Sequence, residues 1–236
     1  MISIILPVFN CVHQFRNGIP KMIEVLRSTG FPYEIIVIND GSDDSQAIRE
    51  ISMVNGFTLI DNVSNLGKGA SVKKGIFAAS GDLIIFMDGD FPFNLTVIND
   101  MLRAFENVTT DIVIGDRSLP DSRYPKISLA RRIGSRILSA LVTRFILTGL
   151  ADSQCGVKGF RRNTAKVIFE RVKLTGFSFD VEVLFIARIR KYNLVRIPVE
   201  VTDQQNSSVR IVRDGLRMIS GMIRIMVRYV VGKYSS

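Results

Sequence analysis

Short, nearly continuous apolar runs alternate with segments of helical spacing along the first half of the chain. Such runs are typical of parallel strands buried on both faces, since a strand with one wet face alternates apolar and polar residues. They cover Ile2–Val8, Glu34–Ile38, Phe57–Ile60, Leu83–Met87 and Ile112–Ile114. Apolar residues at helical spacing lie between them, over Phe15–Thr29, Ser45–Val54, Lys68–Ala79 and Leu95–Phe105. The alternation predicts an α/β fold with a mostly parallel central sheet and helices on both faces.

The second half of the chain is predicted to be mainly helical. Its elements are a loop over Leu119–Ser128, helices over Leu129–Leu147 and Asp180–Tyr192, a strand over Val195–Val201 and a last helix from about Val209. No repeat or low-complexity linker divides the chain. We therefore expect residues 1–118 and 119–236 to be two halves of one continuous domain.

The last predicted helix separates its charged and apolar residues. Arginines at positions 210, 213, 217, 224 and 228 fall on one stripe. Apolar residues crowd the remaining surface: Leu216, Ile219, Met222, Ile223, Met226, Val227 and Val230. This pattern favours an amphipathic helix that lies in a membrane interface, and the helix predicted over Leu129–Leu147 has a similar character. The alternative is a helix packed on the core with a solvated basic face.

Charge is distributed unevenly between the two halves. The 236 residues carry a formal net charge of +9, but residues 119–236 hold 22 Lys and Arg against 8 Asp and Glu, a net of +14. Residues 1–118 hold 9 against 14, a net of −5. The first half is therefore suited to holding a cation, and the second to holding phosphate groups or an anionic membrane surface. A nucleic-acid-binding protein is the competing class, but it leaves the acidic half unexplained and lacks interleaved aromatic residues.

Neither the cysteines nor the amino-terminal residues indicate secretion. Cys11 and Cys155 lie far apart and match no metal-ligand spacing, so we expect reduced, buried thiols. The first residues lack a basic segment before their apolar run, and no stretch of about 18 uncharged apolar residues occurs. These observations predict a cytoplasmic protein without a leader or a spanning helix.

Polar residues follow each of the first four predicted strands. They are Asn10 and the segments Asn39–Ser45, Asn65–Gly69 and Asp88–Asp90. Because ligands of such sheets bind outside the carboxyl ends of the strands, we expect these residues to form one site. Asp40 stands directly after its strand, where a carboxylate can accept hydrogen bonds from a base or a ribose. A simpler role for this segment is to cap the next helix with Ser42 or Asp43.

Asp88 and Asp90 are two carboxylates at the end of a buried strand, with Gly89 between them. A hard divalent cation, Mg²⁺ or Mn²⁺, would relieve their repulsion and would be completed by phosphate oxygens of a ligand. The alternative is a solvated turn, because Asp and Gly are common turn residues.

Gly67-Lys68-Gly69 opens a predicted helix without matching a known phosphate-binding motif. The dinucleotide-binding fingerprint fails at its third glycine, which is Val72, and the P-loop motif is absent. A helix start of this kind still offers backbone donors and one cation to an anionic ligand.

Taken in order along the chain, these segments resemble the family 2 glycosyltransferases, which have the GT-A fold, a Rossmann-like arrangement. The matching segments are Pro7–Asn10, Asp40–Asp44, Asn65–Gly69, Asp88–Asp90, Gly115–Arg117, Arg131-Arg132 with Ser135, and Asp152–Phe160. The later ones are similar to the polyprenyl-phosphate, or dolichyl-phosphate, glucosyl- and mannosyltransferase branch. Gln154-Cys155-Gly156 followed by Lys158 is most similar to the dolichyl-phosphate glucosyltransferases. The resemblance covers nearly the whole chain.

On the donor side, the resemblance implies that the first-half residues hold a nucleotide sugar. Pro7 and Asn10 would line the nucleotide pocket, and Asp40 would hold the base or the ribose. Asp88 and Asp90 would bind the metal, with Asp90 as the foremost ligand. Lys68 and Gly69 complete the residues expected to bind the nucleotide sugar.

On the acceptor side, the resemblance implies that Arg117, Arg131 and Ser135 face a phosphate. Asp152 and Gln154 would lie near the transferred sugar. Asp180 and Glu182 match a further segment of the family, to which we assign no firm role.

The implied reaction is a metal-dependent, inverting transfer of glucose from UDP-glucose to a polyprenyl phosphate, at the inner face of a membrane. Such an acceptor is already anionic and needs no general base. The alternatives are transfer from GDP-mannose, or transfer to a saccharide hydroxyl in surface-polysaccharide synthesis with Asp152 or Asp180 as the base. The sequence leaves open whether the protein is a homo-oligomer.

The chain departs from the family pattern at three places. Cys11 stands where the family usually has Glu, which removes a carboxylate from the nucleotide pocket. Ser208 replaces a lysine expected before the last helix. The segment Phe91–Asn94 keeps a proline but lacks the usual polar pattern.

Overall fold

A seven-stranded sheet organises the chain. The computed structural model describes residues 1–123, 146–147, 149–150, 152–176, 178–202 and 211–234, without the side chains of residues 211–214. The strands are β1 (Ile2–Val8), β2 (Tyr33–Asn39), β3 (Thr58–Asp61), β4 (Leu83–Met87), β5 (Ile112–Gly115), β6 (Val157–Arg161) and β7 (Leu194–Ile197). Their order is β3-β2-β1-β4-β6-β5-β7, and only β6 runs antiparallel to its neighbours.

Helices cover both faces of this sheet. In the described residues they are α1 (Val12–Ser28), α2 (Ser45–Val54), α3 (Lys68–Ala78), α4 (Val97–Glu106), α5 (Arg162–Arg171), α6 (Phe179–Ile189) and α7 (Ile211–Val230). The predicted α/β class with a mostly parallel sheet is confirmed.

The continuous apolar runs are explained by cores on both sides of the sheet. Ile4 of β1 lies beside Ile35 of β2 and Ile85 of β4, in the core shared with α1, α2 and α4. The next residue, Ile5, faces the other way, into the core shared with α3, α5, α6 and α7. Successive residues of a strand point to opposite faces, so a strand buried on both sides has no polar positions.

Several predicted boundaries differ from the structure. β7 ends at Ile197 because Pro198 cannot donate a ladder hydrogen bond, and only isolated bridges continue at Glu200 and Val201. Helix α5 was not predicted. Its residues Ala165, Ile168 and Phe169 have helical spacing and are buried. Most of the helix predicted over Leu129–Leu147 lies outside the described residues, and its described residues 146–147 are buried but not helical.

Candidate active site

The loops that follow β1 and β2 are fastened to each other at the carboxyl edge of the sheet. Asn10, in the left-handed region with φ of 49°, receives at Oδ1 the amide of Asp43 at 2.9 Å and donates from Nδ2 to the Asp43 carboxylate at 3.0 Å. The backbone amide of Asn10 donates to Ser42 Oγ at 3.1 Å. The two loops therefore form one rim of the site.

Asp40 is buried and organises the loop that leads into α3. Its carboxylate accepts hydrogen bonds from Asn62 Nδ2 at 2.7 Å and from the amides of Leu66 and Gly67, each at 2.9 Å. A carboxylate has about four acceptor positions, so about one remains for a ligand. Asp40 thus fixes the loop between β3 and α3.

Asp88 follows β4 and forms an ion pair with Lys68, with 2.5 Å between Oδ1 and Nζ. The absence of side chains at Gly89 and Gly156 lets the backbones pack closely around this carboxylate. A Cβ added to Gly89 would lie 2.8 Å from the Pro7 carbonyl oxygen, and one added to Gly156 would overlap Asp88 Oδ2. Glycine at both positions is therefore a condition for placing Asp88 among β1, β4 and β6.

Lys68 is a permanent cation of the site. Burial alone would lower its pKa, but the charges of Asp88, Asp180 and Asp90 outweigh burial and raise the pKa above its ordinary value. Asp90 itself is exposed. Among the described residues no three His, Cys, Asp or Glu side chains gather as a closed metal site. Asp88 and Asp90 carry carboxylate oxygens, the ligand type that Mg²⁺ and Mn²⁺ prefer, and Asp88 Oδ1 is paired with Lys68.

Two of the backbone donors that the sequence suggested at the start of α3 have partners within the protein. The amides of Leu66 and Gly67 donate to Asp40, and the Gly69 amide donates to the Thr175 carbonyl at 2.7 Å. That expectation is wrong for the amides of Gly67 and Gly69, because long-range partners occupy them. A role for Gly69 in binding the nucleotide sugar stays a prediction, and Lys68 supplies the positive charge here.

Arg117 and Asp152 form a two-point ion pair beside the acidic residues. Arg117 Nε and Nη2 each donate to the Asp152 carboxylate at 2.8 Å, and the Arg117 amide donates to it at 2.9 Å. Burial would raise the pKa of Asp152, but the hydrogen bonds and charge of Arg117 hold it below the ordinary value. Burial alone would lower the pKa of Arg117, but the hydrogen bonds and charge of Asp152 outweigh burial and raise the pKa, and the charge of Asp88 adds to this effect.

A second ion pair lies beneath the site and is fully enclosed. Lys158 Nζ lies 2.5 Å from Asp180 Oδ1, donates to the Cys155 carbonyl at 2.8 Å, and stands 5.4 Å from the centre of the Phe86 ring. In the sequence, Lys158 is distinguished only as part of the motif over Asp152–Phe160. A lysine inside the apolar strand β6 was the signal that a buried partner had to exist.

The remaining predicted site residues lie around this centre or outside the described part. Gln154 Nε2 is 3.9 Å from Met218 Sδ of α7. Cys155 is buried, and burial raises the pKa of its thiol to about 12. Burial likewise raises the pKa of Cys11 to about 11. Arg131, Ser135 and Ser208 lie outside the described residues.

Comparison with known proteins places the chain among sugar-transferring enzymes. Residues 3–169 match the model for Glycosyl transferase family 2. The chain is 30% identical to a dolichyl-phosphate beta-glucosyltransferase of Dictyostelium discoideum, over 98% of the chain and 75% of that protein. It is 26% identical to the human dolichyl-phosphate beta-glucosyltransferase, over 99% and 77%.

Solved structures share the fold. Mannosyl-3-phosphoglycerate synthase from Rubrobacter xylanophilus superposes with a TM-score of 0.71 at 17% identity, over 100% of this chain and 75% of that one. Glucosyl-3-phosphoglycerate synthase from Mycobacterium tuberculosis, in complex with Mn²⁺, UDP-glucose and phosphoglyceric acid, gives 0.69 at 15% identity, over 95% and 79%.

Proposed function

This chain belongs to glycosyl transferase family 2, and on that premise we propose that it transfers a hexose from a nucleoside-diphosphate sugar to a polyprenyl phosphate. The names of the relatives matched over nearly the whole chain support this acceptor. UDP-glucose is the proposed donor because those relatives are glucosyltransferases, and GDP-mannose is the alternative.

The engagement of both candidate bases is the observation that carries the proposal. Transfer to a sugar hydroxyl requires a base to take its proton. Asp152 is held by Arg117, and Asp180 is buried against Lys158. A phosphate oxygen is already anionic at neutral pH and needs neither carboxylate as a base. The same ion pairs disfavour a saccharide hydroxyl as the acceptor.

Charge on the departing nucleoside diphosphate is the main electrostatic cost of this transfer. Mg²⁺ or Mn²⁺ held by Asp88 and Asp90 would supply positive charge at that phosphate. Lys68, already in place on Asp88, contributes a second cation. We propose that Arg117, with Arg131 and Ser135, faces the acceptor phosphate, which attacks opposite the leaving group and inverts the anomeric carbon.

Product analysis tests the reaction. The protein is incubated with Mn²⁺ and radiolabelled UDP-glucose or GDP-mannose, with undecaprenyl phosphate, dolichyl phosphate or a saccharide as acceptor. We expect lipid-linked glucose from UDP-glucose. Product from GDP-mannose alone would change the donor, and product with the saccharide alone would change the acceptor. No lipid product from either donor would refute the proposal.

We also propose that α7 rests on the cytoplasmic leaflet of a membrane. Its Met218, Met222 and Ile225 pack into the core, so the helix is core-packed as one interpretation predicted. A second apolar face stays exposed, at Leu216, Ile219, Ile223, Met226, Val227 and Val230. Val230 is 80% exposed and Leu216 is 64% exposed. Contiguous exposed apolar residues are typical of interaction surfaces.

Charge favours an anionic bilayer as the partner of this face. Arg217 and Arg224 are exposed on the flank of the apolar row, and each arginine near an anionic leaflet contributes about 1 kcal/mol. Within the described residues, no helix combines the length and the apolar character needed to span a bilayer. We propose that α7 attaches as an interfacial helix.

Vesicle flotation tests the membrane face. We expect binding to vesicles containing phosphatidylglycerol, weak binding to pure phosphatidylcholine, and loss of binding in the double variant Ile223→Glu/Val227→Glu. The matched control is Met53→Glu/Val54→Glu, which places two carboxylates at exposed apolar positions of α2. Equal binding by both double variants would contradict the assignment of α7.

A further inference from the structure

Glu182 is a fully buried carboxylate to which the proposed chemistry assigns no role. It lies in the first turn of α6, two residues after Asp180. Residues two apart on a helix point to nearly opposite sides. Asp180 faces Lys158 under the site, whereas Glu182 faces the segment before α6 and the carboxyl-terminal residues that follow α7.

Four groups surround the Glu182 carboxylate. Oε2 accepts the amides of Lys173 at 2.9 Å and Leu174 at 2.7 Å. Oε1 accepts the hydroxyl of Tyr234 at 2.6 Å and lies 3.8 Å from Arg228 Nε. These donors and one cation compensate the burial of the charge.

The segment held by Glu182 touches the backbone that carries Lys68. The Thr175 carbonyl accepts the Gly69 amide, and a Cβ added to Gly67 would lie 2.5 Å from that carbonyl oxygen. A Cβ added to Gly69 would lie 2.7 Å from the Leu174 carbonyl oxygen. Two backbones thus meet at a distance that only glycine allows, on either side of Lys68.

We propose that Glu182 is a positioning residue of the donor site. It fixes residues 173–175 against the backbone of Gly67–Gly69, and this contact sets the Lys68 ammonium on Asp88. Through Tyr234 and Arg228, the same carboxylate ties α7 and the residues after it to that arrangement. This inference rests on the proposed function, since it names what aligns the cation of the proposed donor site.

Nucleotide affinity, measured apart from transfer, is the test. Calorimetry in the presence of Mn²⁺ gives the Kd of UDP or GDP, whichever the wild type binds more tightly. The measurements are made well below the melting temperature of every variant. We expect Glu182→Ala to weaken binding at least about tenfold, because hydrogen bonds to a charged group are lost. Glu182→Gln can still accept both amides at its carbonyl oxygen, so we expect a change of less than about threefold.

A double-variant cycle with Lys68→Met separates positioning from a general loss of stability. If Glu182 acts through Lys68, Glu182→Ala will change the Kd by less than about twofold in the Lys68→Met background. Additive losses in the double variant would overturn the proposal. Should Glu182→Ala not fold, Glu182→Asp takes its place, since it keeps the charge but retracts the oxygens.

The matched control is Glu34→Ala. Glu34 also accepts a backbone amide, that of Ser80 at 2.7 Å, but between β2 and the loop before β4. We expect it to lower the melting temperature and leave the nucleotide Kd unchanged; an equal loss of affinity would overturn the proposal. If Glu182→Ala weakens nucleotide binding as expected but the wild type makes no lipid-linked sugar, the proposed function is refuted and the positioning role of Glu182 is not. A wild type that binds no nucleotide would refute both.

Discussion

Asp152 and Asp180 were candidate bases when only their residue type was known. A carboxylate serves as a base when its lone pairs are accessible and its pKa is near the working pH. In the structure, Arg117 takes both oxygens of Asp152, and Lys158 pairs with Asp180 in the core. The partners, and not the residue type, therefore determine what these two side chains can do.

The Arg117–Asp152 pair predicts how stability depends on pH. Because the folded-state pKa of Asp152 is depressed, its stabilising effect is present above the unfolded pKa, near 4, and is lost as pH falls through the folded pKa. We expect Asp152→Asn to lower the free energy of unfolding by about 1–3 kcal/mol between pH 5 and 8. Urea unfolding over a pH series should show this difference shrinking below about pH 4. A difference that grows at low pH would contradict the assignment.

Asp90 gives a test of the proposed metal site that folding does not confound. Its side chain is exposed, so Asp90→Ala should leave the melting temperature nearly unchanged. We expect turnover to fall at least about 100-fold and Mn²⁺ affinity, measured by calorimetry in the presence of UDP, to fall with it. Asp82→Ala, another exposed carboxylate, is the control. Wild-type activity in Asp90→Ala would remove the argument for a metal.

Among the elements, β6 joins the second half of the chain to the strands that carry the site. It inserts antiparallel between β4 and β5 and pairs residue by residue with β4, from Leu83 with Arg161 to Met87 with Val157. This insertion brings Gly156 against Asp88 and Lys158 under Phe86. The second half of the chain thus supplies part of the proposed donor site, most of which belongs to the first half.

Gly156→Ala tests this close approach. The added Cβ would overlap Asp88 Oδ2, so Asp88 must move, and we expect activity to fall at least about tenfold with a stability loss of about 1–3 kcal/mol. Steady-state rates and urea unfolding measure the two effects. Gly215→Ala in α7 is the control, because nothing lies within 4 Å of its added Cβ. It should stabilise the protein by about 0.5–1 kcal/mol, as alanine does in a helix.

Over the entire protein, the net charge of +9 averages two unlike surfaces. The acidic first half contains Asp40, Asp88 and Asp90 at the sheet edge, and the basic second half contains α7 with its exposed aliphatic row. Family membership and this acidic edge give the nucleic-acid interpretation no support. The proposed transfer to a lipid phosphate at a membrane surface would account for both halves.

Ligand-dependent stability of the intact chain discriminates among donors. At 100 times its Kd a ligand adds about 2.7 kcal/mol, which corresponds to about 5–10 °C for a protein of this size. We expect thermal-shift measurements to give the largest rise in melting temperature with UDP and Mn²⁺, a smaller one with UDP alone, and the smallest with GDP or CDP. A larger shift with GDP would favour mannose as the transferred sugar.

The sequence by itself determined the fold class, the main strands and the edge where polar residues gather. These follow from periodicity among near neighbours and from the rule that parallel strands end at one edge. The ordered motifs around Asp88-Gly89-Asp90 and Asp152–Phe160 also sufficed to predict the family.

Only the tertiary structure decided which polar groups are engaged and which faces are buried. Arg117 and Asp152 are 35 residues apart, and Lys158 and Asp180 are 22 apart, so no local pattern reports their pairing. The same holds for the Thr175 carbonyl on the Gly69 amide and for the division of α7 into a packed and an exposed apolar face. The partner and the burial of a side chain depend on how distant segments pack. Periodicity, in contrast, reflects only the secondary structure and the apolar face of each segment.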